Sequence, residues 1–149
     1  MSNVGQRERA TQARVVMLFT DQLGYDYLGN WIDRPDNRNV EPEYLRLFLE
    51  GHGVDAALIK RAITEVQKVA GDQSRSLYDI NRSVYDLLRY GVKVKPDVGE
   101  LTQTVWLIDW EKPEKNHFAI AEEVAVKPAA SGNAKAYGKR PDVVLYVNG

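Results

Sequence analysis

Apolar residues recur with the 3.6-residue period of an amphipathic helix through most of residues 8–91. The pattern predicts helices that begin near Glu8, Pro42, Asp55 and Ser76. Proline in a first turn and Asp or Ser immediately before a helix are typical of helix N-termini. The clearest helix is the third, whose apolar stripe consists of Ile59, Ala62, Ile63, Val66 and Val69.

After Gly91 the period of the apolar residues changes from 3.6 to 2, which predicts strands. The strand segments are rich in β-branched and aromatic residues, and we expect one mixed sheet, mainly within residues 92–147. Residues 25–39 are expected to form a short strand or a loop. A helical first half packed on a strand-rich second half predicts an α/β (α+β) fold, and 149 residues favour a single domain.

Composition narrows the class of protein. Hydrophobic residues make up 44% of the chain and charged residues 28%, which excludes a disordered, collagenous or coiled-coil protein. With no cysteine and two histidines, neither a disulfide framework nor a thiolate or histidine-rich zinc site is expected. The polar N-terminus and the lack of a long apolar segment indicate a cytoplasmic protein with no membrane contact.

Residues 127–140 combine four positive charges with no acid, whereas the net charge of the chain is -1. The cations are Lys127, Lys135, Lys139 and Arg140, in a segment rich in Ala, Gly and Ser without periodicity. Any contact with DNA must come from a local patch of this kind. The segment is either a DNA-binding loop whose cations contact phosphate or a solvated connector.

Asp142 is the strongest candidate for a catalytic carboxylate. Pro-Asp occurs three times, but Asp36 and Asp97 lie in polar, turn-forming segments. Asp142 directly precedes the apolar residues 143–147, and a carboxylate at the entrance of a buried strand can hold a hard cation such as Mg²⁺. The alternative is a solvated acid at the start of a strand.

Two other carboxylates occupy unusual positions. Glu8 shares a helix face with Val15 and Phe19, so it is expected to point toward the core from the first turn of its helix. It is either a metal ligand or an ordinary acid at a helix N-terminus. Glu122 falls on the apolar face of its strand, where a bulge that turns it outward is favoured over a catalytic role.

Six segments in combination resemble a known family. They are residues 8–12, 23–29, 89–92, 107–110, 116–121 and 140–149, and the likeness covers nearly the whole chain. Together they resemble the N-terminal nuclease domain of the type I restriction enzyme R subunit. This resemblance implies a restriction-endonuclease-like core of the PD-(D/E)xK class, joined in the complete subunit to an ATP-driven DNA translocase.

The resemblance also implies a Mg²⁺ site for DNA cleavage. In the family, the aspartate of Pro-Asp binds the metal together with an acid and a lysine from a following Glu-x-Lys strand, and a glutamate of the first helix lies nearby. Asp142 matches this aspartate, and Glu8 matches the helix glutamate. No Glu-x-Lys triplet occurs in the chain, so residues 1–149 are expected to be a partial endonuclease domain, truncated after the Pro-Asp strand and inactive alone.

The complete enzyme, by the same resemblance, acts on DNA, binds ATP in its motor region and assembles with modification and specificity subunits. A different hypothesis is a non-catalytic docking module, in which residues 41–91 bind the motor or a partner subunit. An exposed apolar face without basic residues on those helices would favour docking.

Overall fold

The computed structural model describes residues 3–126 and 138–149, so Lys127 and Lys135 lie outside the described residues. In chain order the elements are α1 (Asn3–Met17), β1 (Asp26–Asn30), α2 (Pro42–Gly51), α3 (Ala56–Ala70), α4 (Leu77–Tyr90), β2 (Val92–Val94), β3 (Gln103–Val105), β4 (Phe118–Glu122) and β5 (Val143–Val147). Helix α1 continues into a π-helical turn, Leu18–Gln22, and a 3₁₀ turn spans Pro113–Lys115. None of the described helices is both long and apolar enough to span a bilayer.

The chain divides into two compact units, a division that chain length does not predict. The first unit comprises Met1–Arg38 and Phe118–Val147, and the second comprises Asn39–His117 and Asn148–Gly149. The first unit therefore combines residues from both ends of the sequence. Most helices do lie in the first half of the sequence and most strands in the second half. These two halves are not, however, the two units that pack separately.

The first unit contains a mixed sheet of order β1-β4-β5. Strand β1 runs parallel to β4, and β5 runs antiparallel to it. On one face of this sheet, Ala119 and Ala121 of β4 pack with Trp31 and Tyr146. Because side chains alternate along a strand, Phe118, Ile120 and Glu122 lie on the other face, where the Phe118 ring contacts Tyr25.

Two expectations about this region are wrong. The predicted single sheet is two sheets within the described residues, because β2 and β3 pair only with each other. Helix α1 begins at Asn3 rather than near Glu8, so Glu8 lies in its second turn. The central strand β4 also takes one neighbour, β1, from the helical half of the sequence.

The second unit packs three helices against the β2-β3 hairpin. Helix α3 lies between α2 and α4 and also contacts β2, and its buried residues are Leu58, Ile59, Ala62 and Val66. Ser76 caps α4 by accepting a hydrogen bond from the Asp79 backbone N–H at 3.1 Å. Gly91 links α4 to β2 with φ +77, and a Cβ there would lie 2.5 Å from the Thr104 methyl group. Only glycine fits this close approach.

Helices and a mixed sheet, together with a separate two-stranded sheet, make this an α+β fold, as the sequence predicts.

The Asn-Gly pair after β5 has positive φ at both residues, +58 at Asn148 and +87 at Gly149. Those values suit the central positions of a type I′ turn. Within the second unit, Asn148 is also a fully buried polar residue.

Candidate functional site

A cleft of about 820 Å³ lies in the first unit, lined by residues of α1, β1 and β4 and by the segment that precedes β5. Four carboxylates line it, those of Glu8, Glu122, Glu123 and Asp142. The two residues that sequence analysis proposes as metal ligands, Glu8 and Asp142, thus line the same cleft. They come together because the α1 side chain of Gln12 hydrogen-bonds to Glu122 at the end of β4.

Asp142 lies immediately before β5, as predicted. Its backbone is held by the end of β4, because the Glu123 N–H donates to the Asp142 carbonyl at 2.9 Å and the Val124 N–H donates to that of Pro141 at 3.2 Å. The Asp142 residue is exposed, and its carboxylate makes no hydrogen bond or ion pair within the described part of the chain. A fixed backbone and an unengaged carboxylate suit a group that binds a ligand.

Glu8 does not face the core, contrary to the sequence prediction. It is exposed in the second turn of α1 and lines the cleft. The favourable interaction of an acid with the helix dipole is confined to the first turn. The role as an N-terminal helix acid therefore does not apply to Glu8, and its distinguishing feature is that it lines the same cleft as Asp142.

Gln12 connects α1 to the strands, and sequence analysis missed it. Its Nε2 donates to Glu122 Oε2 at 2.7 Å, and lies 3.3 Å from Glu123 Oε1 and 3.4 Å from the Asp142 carbonyl oxygen. An amide group has two hydrogens, so the short bond to Glu122 dominates and the others are shared. The available signal was spacing, because Gln12 follows Glu8 by four residues and so shares its helix face.

Glu122 is also part of the cleft rather than turned away from it. The Tyr27 hydroxyl donates to Glu122 Oε1 at 2.7 Å, so both carboxylate oxygens are engaged. This hydrogen bond, with smaller effects of burial and of the Glu122 charge, raises the pKa of Tyr27 to about 12. The expected bulge at Glu122 is wrong, since β4 pairs with β5 without a register shift. The distortion falls one residue later, at Glu123, whose φ is +52.

Glu123 pairs with Arg140, one of the predicted DNA-binding cations. The buried Oε2 of Glu123 lies 2.9 Å from Arg140 Nε without hydrogen-bond alignment, so the contact is primarily electrostatic. Lys139 is exposed, and its backbone pairs with Val126 in both directions at 2.8 and 3.1 Å. Lys127 and Lys135 lie outside the described residues, so the predicted basic loop is represented by these two cations.

The cleft offers oxygen ligands, the donor type that Mg²⁺ prefers. Two of its carboxylates, Glu122 and Glu123, are already held by neighbouring side chains. Across residues 3–126 and 138–149, no three acids or histidines come together as a metal-binding group. Mg²⁺ is typically held by one or two carboxylates together with water and substrate phosphate. The chemistry of the exposed acids Glu8 and Asp142 therefore fits the ion, but they form only part of a ligand set.

A comparison with protein-family models finds one match over nearly the entire chain. The model is described as the type I restriction enzyme R protein N terminus, and it matches residues 5–149. Searches of curated proteins and of solved structures return no match. The matched range includes every residue that lines the cleft, the whole second unit, and the first unit from Gly5 onward.

Proposed function

Because this chain belongs to the family of type I restriction enzyme R protein N termini, we propose that its first unit forms part of a Mg²⁺-dependent DNA endonuclease site. The family makes the chain an N-terminal region of a restriction enzyme subunit. The observation that carries the finer proposal is the cleft in which Glu8 and Asp142, distant in sequence, both present exposed carboxylates. No other Pro-Asp aspartate lines this cleft among the described residues.

Asp142 is the proposed metal ligand, and Glu8 is the second candidate. When bound, Mg²⁺ polarises the phosphate and lowers the pKa of the attacking water. Gln12 and Tyr27 hold both oxygens of Glu122, so this carboxylate acts as a structural acceptor that fixes α1 against β4. Glu8 lies one turn before Gln12 on the same face of α1, so the hydrogen bond of Gln12 to Glu122 also holds Glu8 in the cleft that Asp142 lines.

The remaining groups of the site come from residues outside this sequence in the proposed complete subunit. Phosphodiester hydrolysis also needs a cation near the nucleophile to stabilise developing charge, and no Glu-x-Lys triplet is present here. The same applies to ATP, because the sequence contains no glycine-rich phosphate-binding motif. DNA translocation and assembly with modification and specificity subunits belong to this proposal.

The test compares two Pro-Asp aspartates in the complete R subunit assembled with its partner subunits. Asp142→Ala is expected to lower DNA cleavage roughly 100-fold or more, because metal stabilisation of a transition state is worth several kcal/mol. ATP hydrolysis should stay unchanged. Asp97→Ala is the matched control, since Asp97 also follows proline and is exposed but lies in the second unit. Normal cleavage by the Asp142 variant would refute the assignment.

A further inference from the structure

The exposed face of α4 presents tyrosine and arginine side chains in one line. Tyr78, Arg82, Tyr85 and Arg89 follow each other at spacings of four, three and four residues, which places them within an arc of about 60° on the helix. Tyr78 is 73% exposed and Tyr85 is 60% exposed. Large aromatic side chains left in solvent on one face of a helix mark a surface for interaction.

This line ends at a second cleft, of about 530 Å³, within the same unit. Arg89 lines it together with Trp106 and Trp110, which are 51% and 49% exposed. The Trp110 indole N–H donates to the Leu88 carbonyl at 3.0 Å, which fixes the ring beside the end of α4. The Arg89 guanidinium carbon lies 5.6 Å from the centre of the Trp110 ring.

Cations accompany the aromatic rings along the whole surface. Besides Arg89, the Lys93 ammonium lies 6.0 Å from the centre of the Trp106 ring, and Arg82 is exposed on α4 between Tyr78 and Tyr85. Two acids, Asp109 and Glu111, also line the cleft. Asp109 accepts a hydrogen bond from the Lys112 N–H and lies 3.3 Å from His52 Nε2. The cleft therefore suits a ring with amino groups, and the helix face suits an anion.

We propose that α4 and this cleft form a binding surface for single-stranded DNA, with bases stacked on Tyr85, Trp106 and Trp110 and phosphates held by Arg82 and Arg89. Aromatic platforms next to arginines bind unpaired bases, whose faces a duplex hides. A cleft of this volume is within the range of small-ligand sites, roughly 300–1,000 Å³, and so holds one base with its sugar. The proposal depends on residues of the second unit and not on the carboxylate cleft of the first.

A protein partner is the main rival occupant, because aromatic residues and arginine are also enriched at protein interfaces. A helix face that binds an apolar partner is expected to lack basic residues. The exposed line of α4 instead alternates each tyrosine with an arginine, and Lys93 extends the positive charge to Trp106. A polyanion with stackable rings matches both features at once.

Binding is measured with the full 149-residue chain, using a labelled oligothymidylate, a duplex of equal length and heparin as a polyanion without bases. The single strand is expected to bind more tightly than the duplex and to quench tryptophan fluorescence. Tyr85→Ala should weaken binding roughly 5- to 150-fold, the range seen when one stacking platform is removed. Leu47→Ala is its control, because Leu47 is 56% exposed on α2 of the same unit.

The electrostatic part is tested by salt dependence. The double variant Arg82→Ala, Arg89→Ala should lower the slope of log affinity against log salt by about 1.4, or about 0.7 per lost contact with a single strand. Arg61→Ala, an exposed arginine of α3, should leave the slope unchanged. Equal affinity for duplex and single strand, or unchanged binding by Tyr85→Ala, would overturn the proposal. Loss of binding to a partner subunit in these variants, with oligonucleotide binding intact, would assign the surface to docking.

Discussion

Replacement of Asn148 should destabilise the chain more than replacement of an average surface residue, because this side chain is fully buried and fully used. Its Nδ2 donates to the Leu107 carbonyl and to Asn116 Oδ1, both at 2.9 Å. Its Oδ1 accepts from the His117 backbone N–H at 2.7 Å. The backbone φ of +58 is one that asparagine adopts more readily than alanine.

The expected cost follows from these contacts. Three hydrogen bonds at a net value of about 1 kcal/mol each give about 3 kcal/mol for removal of the side chain. Compared with glycine, alanine at this positive φ adds backbone strain of about 1–2 kcal/mol. This strain is partly offset by about 0.4–1 kcal/mol, because the unfolded chain has less conformational freedom with alanine than with glycine. Asn148→Gly is therefore expected to lose about 3 kcal/mol and Asn148→Ala about 1 kcal/mol more.

Urea denaturation followed by tryptophan fluorescence measures both free energies of unfolding. The midpoint should fall in the order native, Asn148→Gly, Asn148→Ala, with the slope unchanged. Asn81→Ala, at an exposed position of α4, is the control and should change stability by less than about 0.5 kcal/mol. A loss below about 1 kcal/mol for Asn148→Ala, or an alanine variant more stable than the glycine variant, would refute this reasoning.

Three further predictions concern the two clefts. Gln12→Ala in the complete subunit should lower DNA cleavage roughly 10- to 100-fold at unchanged ATP hydrolysis, the range for groups that orient metal ligands, and equal cleavage would contradict the positioning role. Glu122→Gln should lower the pKa of Tyr27 from about 12 toward 10.0, seen as loss of the high-pH tyrosinate transition that Tyr27→Phe also removes. The hydrogen bond from the neutral Tyr27 hydroxyl to Glu122 stabilises the fold at pH values below the pKa of tyrosine in the unfolded chain. That contribution should vanish as the pH rises through about 12, the pKa of Tyr27 in the folded chain. The hydrogen bond from the Lys112 N–H lowers the pKa of Asp109. The native chain should therefore be more stable than Asp109→Asn above about pH 4, and this difference should shrink on acidification. A difference in urea midpoints that stays constant with pH would contradict the prediction.

Local sequence signals were enough for the helices of the second unit and for the position of Asp142. Asp55 and Ser76 directly precede α3 and α4, because the start of a helix depends on residues within one turn of it. The apolar stripe of α3 identifies three of its four buried residues, Ile59, Ala62 and Val66. Asp142 at the start of β5 follows from the apolar segment behind it.

Local sequence signals did not identify Gln12 and Glu122 as residues that line the carboxylate cleft together with Asp142. Gln12 is an ordinary polar residue of a surface helix until β4 is placed beside it, 110 residues further along the chain. Glu122 is misread because alternation along β4 assigns it to an apolar face, whereas a tyrosine and a glutamine on that face satisfy its charge. No pattern within β4 alone reports those two partners.

The sequence by itself determined the helices of the second unit, the α+β class, the family and the aspartate that precedes β5. The tertiary structure alone decided that β1 pairs with β4, that the strands form two sheets, and that Glu8 lines a cleft with Asp142. The physical reason is that periodicity records which side of an element avoids water but not which element covers it. Pairing partners are selected by contacts between distant residues, whose combined packing and hydrogen bonding has no signature in either segment alone.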